Sequence, residues 1–159
     1  MSLVQLYKDI KEKLTDECDL KHVALFNNQY ERENVENPFL YPCAFIEFKP
    51  STFKDLSVGV QQFDMIVTIH LGFESYTEDD LKVLELKQKI YVALQRLQSG
   101  YFALLSRVEE RQNFDHGNTQ VYEIDFRTTG KDYDADTRAT KQVLITPQVT
   151  AEIVKPDEL

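Results

Sequence analysis

The stretch Val60-Gln61-Gln62-Phe63-Asp64-Met65-Ile66-Val67-Thr68-Ile69-His70-Leu71-Gly72-Phe73 decides the fold. Phe63, Met65, Val67, Ile69, Leu71 and Phe73 alternate with Gln62, Asp64, Ile66, Thr68, His70 and Gly72. Successive side chains of a strand point to opposite faces, so this period of two predicts a long half-buried strand. The chain then passes into Thr77-Glu78-Asp79-Asp80, which predicts a helix start close to a capping box, with three acids suiting the first turn. Leu84, Leu86, Ile90, Leu94 and Leu97 are apolar positions of that helix, and Ser99-Gly100 stops it.

Toward the N-terminus, Ser2 is placed to cap a helix running to about Cys18. Leu3, Leu6, Tyr7, Ile10 and Leu14 make its apolar stripe. Residues 19–42 connect, with a short strand over His22–Phe26 and a polar loop over Asn27–Pro38. Tyr41-Pro42 introduces a strand from Cys43 to Phe48, and Lys49-Pro50-Ser51 breaks it. Residues 49–59 then read as a loop, oversized against the usual two to about five residues of a hairpin.

Toward the C-terminus, Leu104 to Arg111 and Gln120 to Arg127 predict a hairpin across the turn Asn113–Asn118, with Tyr122, Ile124 and Phe126 on one face. After Thr129-Gly130 the character changes. Residues 131–142 are polar, and Val143-Leu144-Ile145 and Val149 to Val154 are extended and β-prone, separated by Pro147. The expectation is an α+β domain over 1–130, a small, mostly antiparallel sheet with two helices packed on one face. Residues 131–159 are expected to be an extended C-terminal segment or arm, a last strand of the same sheet or one that leaves the domain.

A chain of 159 residues, 42% hydrophobic with 10 Phe and 8 Tyr, has the material for one real core. It contains no run of 18 apolar residues, so no membrane span is expected. No basic segment followed by an apolar block marks a signal peptide. The net charge of −9, from 18 basic and 27 acidic residues, argues against a protein that grips phosphates. Cys18 and Cys43 have the option of pairing, but two thiols make no disulfide framework, and a reducing compartment is the expectation.

Little else in the sequence points to chemistry. Asp132, Asp134 and Asp136 open like a calcium loop, but Thr137 and Val143 stand where Gly and Glu are required. Cys18 and His22 have ligand-like spacing, while Cys43, His70 and His116 offer no second spaced pair for zinc. No phosphate-binding loop, dinucleotide fingerprint or nucleophile elbow is present. No cofactor, metal or catalytic residue is therefore assigned.

The order helix, strand, long loop, long strand, capped helix, hairpin resembles the tail terminator proteins of long-tailed bacteriophages, and more loosely their minor tail and neck proteins. The resemblance is carried by Tyr41-Pro42-Cys43-Ala44-Phe45-Ile46-Glu47-Phe48, the strand Phe63 to Phe73, the helix Asp79 to Leu97, and the pair Leu104 to Arg111 with Val121 to Arg127. It covers about residues 1–130 and implies a structural virion protein without catalytic residues. Such a protein forms a ring, usually of six copies, that caps the tail tube, docks the head-completion or connector protein and lets DNA pass. It would be found in the virion tail or neck, and in the host cytoplasm during assembly.

Two residue sets follow as expectations. Lys49, Phe53, Lys54 and Leu56, with Val143, Leu144, Ile145, Val149 and Ile153, are candidates for a partner interface. Asp64, Glu109, Glu123 and Asp125, with Gln62 beside them, are candidates for a lining that DNA slides past, or equally for the solvated side of an amphipathic sheet. A non-viral assembly or adaptor module of the same layout is the second reading. A small enzyme with an unrecognised Cys or His site is the third.

Overall fold

A computed structural model describes residues 3–31, 39–75, 79–117 and 119–136. Helix α1 (Leu3–Glu17) buries Leu6, Ile10 and Leu14, spaced one helical turn apart. It is followed by strand β1 (His22–Leu25) and a 3-10 turn at Gln29–Glu31. Strands β2 (Cys43–Ser57) and β3 (Val60–Phe73) form a hairpin, helix α2 (Asp80–Leu94) follows, and strands β4 (Ser106–Asn113) and β5 (Gln120–Asp132) complete the sheet.

The sheet order is β1-β2-β3-β5-β4, antiparallel except for the parallel β1–β2 pair. The fold is α+β, with both helices packed on one face. There the Phe63-to-Phe73 row of β3 meets Leu6, Ile10 and Leu14 of α1 and Val83, Leu86, Ile90 and Leu94 of α2 in one buried cluster. A smaller cluster of Tyr30, Cys43, Phe45 and Val121, with Phe26, Phe39 and Tyr41 against it, covers one end of the opposite face.

The segment read as an oversized loop is strand. β2 runs on to Ser57 and meets β3 across a two-residue turn, Val58-Gly59, where Gly59 holds φ +76. Pro50 does not break it, because β1 pairs with β2 only as far as Ile46. Beyond that residue the outer side of β2 has no neighbour among the described residues, and a missing backbone donor there interrupts no described ladder.

The helix start also moves. Thr77 lies outside the described residues, and the observed cap is Asp79, whose Oδ1 accepts from the Leu81 N–H at 2.9 Å. The end comes at Leu94, before Ser99-Gly100. Arg96 takes φ +66, its N–H donates to the Leu105 carbonyl at 2.8 Å, and the Leu105 N–H donates to the Leu97 carbonyl at 3.0 Å. These bonds replace another helical turn and hold Leu105 out of β4, which therefore begins at Ser106. Leu84 is 58% exposed, so the buried stripe of α2 runs through Val83 instead. At the C-terminal side β5 continues past Gly130 to Asp132. Ser2 and residues 137–159 lie outside the described residues.

Candidate functional site

Register decides what meets on the face opposite the helices. Glu47 pairs with Thr68, which pairs with Asp125, which pairs with Glu109. His70 pairs with Glu123, and Glu123 with Arg111. Asp64, Glu109, Glu123 and Asp125 therefore share this open face, as do Gln62, Lys49, Arg127, Lys54 and Lys131. Acids and bases are nearly balanced across it.

Its centre is one connected polar network. Arg111 Nη1 donates to Asp125 Oδ2 at 2.7 Å, Arg111 Nη2 donates to Glu123, and Glu109 lies 3.6 Å from the same guanidinium. Thr68 Oγ1 donates to Asp125 Oδ1 at 2.5 Å, and Lys49 Nζ donates to Thr68 Oγ1 at 3.1 Å. Lys49 also pairs with Glu47 at 3.0 Å, and Asn113 Nδ2 donates to Glu123 Oε1 at 2.8 Å. Toward the hairpin tip, Thr129 donates to Asp64 at 3.1 Å, with Arg127 3.7 Å from the same carboxylate.

His70 sits inside this network, 4% exposed. Its Nε2 lies 2.8 Å from Glu47 Oε2, its Nδ1 3.8 Å from Glu123, and the Phe26 ring stacks on it at 3.8 Å. Burial pulls its pKa below the usual imidazole range, against the upward pull of the Glu47 hydrogen bond and Glu123. Burial pushes Glu123 and Asp125 up, but hydrogen bonds from Asn113 and Thr68 and the Arg111 guanidinium outweigh it and hold both carboxyls low. The network binds four strands together, and its charges are spent on each other.

The cysteines are packing groups. Burial pushes Cys18 up to about 11 and Cys43 up to about 12. Cys43 lies 3.5 Å from the Tyr30 hydroxyl, which donates to the His70 carbonyl at 2.8 Å. Register sets His22 opposite Cys43, but among the described residues no group of three acids, cysteines or histidines is placed to hold a metal ion.

The candidate interface residues Lys49, Phe53, Lys54 and Leu56 fall on β2 where it runs out past β1. Phe53 is 57% exposed, with its ring 5.3 Å from Phe63, and Leu56 and Val58 are exposed beside it. A backbone irregularity between Ser51 and Lys54, with Thr52 at φ +54, turns this part of the strand. Val143, Leu144, Ile145, Val149 and Ile153 lie outside the described residues.

Two features escaped the sequence reading. One is the network itself. Its members alternate correctly along each strand, but their meeting depends on register. The other is an open apolar groove of about 390 Å³ between Leu3, Val4 and Tyr7 of α1, Leu25 at the end of β1, and Phe48 of β2. Compared with known proteins, the chain matches no protein-family profile and no curated protein.

Proposed function

We propose that the protein is a structural assembly subunit that resembles a phage tail terminator, closing into a ring of about six copies that caps the tail tube and seats the head. The observation that carries this reading is the arm formed by the far half of the β2–β3 hairpin. From Pro50 to Ser57 every residue of β2 is exposed, yet the strand keeps Phe53 and Leu56 on its surface, and the turn adds Val58. A strand that presents large apolar side chains to water fits one that is covered by a partner.

The open face supports the same reading. Its central cations, Lys49, Arg111 and Arg127, are held by carboxylates of the same face, which leaves them poorly placed to grip a passing phosphate backbone. A lining of Asp64, Glu109, Glu123 and Asp125 among paired cations is compatible with DNA transit without sequence-specific binding. Homo-oligomer contacts would run through the arm, and the tube and head-completion proteins would take the two ends of the ring.

The test is assembly. Purified protein is expected to give ring-shaped particles by negative-stain microscopy and a multiple of the subunit mass by light scattering. Phe53→Ser with Leu56→Ser should weaken assembly at least tenfold while leaving the melting temperature of the subunit nearly unchanged, since both side chains are exposed. A strictly monomeric protein at every concentration would refute the reading, and a discrete dimer would favour an adaptor module instead.

A further inference from the structure

We propose that the outer edge of β2 and the apolar groove beside it are a strand-addition site, and that its occupant is residues 143–154 of the same chain. β1 pairs with β2 only over Cys43–Ile46, and one further bond, Phe26 N–H to Ile46 carbonyl at 2.8 Å, closes that ladder. β2 then runs eleven residues further, 47 to 57, with no described strand on its outer side. Main-chain donors and acceptors along such an edge are a template for one more strand, and Pro50 takes part in it through its carbonyl alone.

The groove sits where the far end of that strand would lie, beside Phe48. Leu25 and Phe48 occupy core-facing positions, since Leu25 pairs with Ile46 and Phe48 with Val67. A strand continuing the β1 row past Leu25 would set its helix-side residues against Leu25 and Phe48, beneath Val4 and Tyr7.

The chain leads to this edge. Asp136, the last described residue, lies at the hairpin tip: a Cβ on Gly59 would collide with Ala135 and Asp136. From there the outer side of β2 is about two strand spacings away, roughly 10 Å. Residues 137–142 span up to about 20 Å when extended. A segment entering from the tip would run antiparallel to β2 and match the length that has no described strand beside it.

Its sequence has the required pattern. Odd positions 143 to 153 read Val, Ile, Pro, Val, Ala, Ile, and even positions 144 to 154 read Leu, Thr, Gln, Thr, Glu, Val. One row is wholly apolar and suits the helix side, with Ala151 and Ile153 at the end that reaches the groove, and the other is mostly polar and suits the open face. Pro147 is tolerated in an outermost strand, which needs donors on one side only. The edge and the groove both belong to one subunit, so the site does not depend on ring formation.

The experiment is hydrogen exchange by mass spectrometry, on monomeric fractions of the full chain and of a chain ending at Asp136. Amides of residues 47–57 are expected to exchange at least tenfold faster in the shortened chain, with β3 and β5 unchanged. A synthetic peptide of residues 140–156 should restore the slow exchange. In the full chain, Val4→Asp with Leu25→Asp, both at exposed positions, should accelerate the same amides. Equal exchange in full and shortened chains overturns the proposal, as does protection confined to oligomers, which would make the occupant a second copy. If the shortened chain fails to fold, the groove variant decides: unchanged exchange at 47–57 overturns the proposal.

Discussion

Replacing Arg111 by Met would remove the one cation that two of the most buried carboxylates share. The Glu123 and Asp125 side chains are 12% and 11% exposed, and Arg111 reaches both. Breaking a fully buried ion pair costs about 3–5 kcal/mol, and an exposed pair is worth roughly 0–1 kcal/mol. The Arg111 side chain is 38% exposed, so solvent already screens part of its interaction. Thr68 and Asn113 also stay behind to bond the carboxylates. The expected loss is therefore intermediate, about 2 kcal/mol at neutral pH, or a fall in Tm of roughly 4–8 °C for a chain of this size.

The pH dependence identifies the cause. Both carboxyls are held below their unfolded values, near about 4, so their contribution is present above that pH and lost as pH falls through the folded values. Without Arg111 both move upward, since burial is then opposed by fewer partners, and protonation relieves the variant. The gap between the two proteins in urea denaturation should thus be full at pH 7 and close toward about pH 3. A gap that stays constant across that range, or no gap at pH 7, would refute the assignment of Arg111 as the cation that holds these carboxylates.

Gly72→Ala should cost about 2–3 kcal/mol, because a Cβ there would lie 2.5 Å from the Tyr30 ring and hydroxyl and expel a buried aromatic from its notch. Tyr30→Phe, which loses the bond to the His70 carbonyl and the weaker contact with Cys43 Sγ, should cost about 1 kcal/mol, and equal melting curves for Gly72→Ala and wild type would contradict the notch. Leu94→Asp should give no folded protein, since Leu94 is 0% exposed and an unpaired buried charge costs several kcal/mol of a total of about 5–15. A soluble, cooperatively melting Leu94→Asp protein would show that the α2 stripe is not core.

Side-chain periodicity made the strand Val60–Phe73 and the α1 stripe legible, because one face of each element meets the core and the other does not. The arm was illegible for a related reason. Its residues 50–57 are exposed on both sides of the strand, so burial imposes no alternation, and Pro50 read as a break where an open edge tolerates it. The network shows the limit most clearly. β4 carries an irregularity between Arg107 and Glu109, where Val108 is passed over in the pairing with β5. Without that extra residue, Val108 would face Asp125 and Arg111 would face Tyr122, on the helix side of the sheet. With it, every later residue of β4 changes face, and Glu109, Arg111 and Asn113 meet Asp125, Glu123 and Val121. Nothing local in Ser106-Arg107-Val108-Glu109-Glu110-Arg111 marks the insertion, since charged residues stand at both odd and even positions. The selection is made across strands: the bulged register gives Glu123 and Asp125 their counter-ion, and the unbulged one would leave two carboxylates buried beside each other.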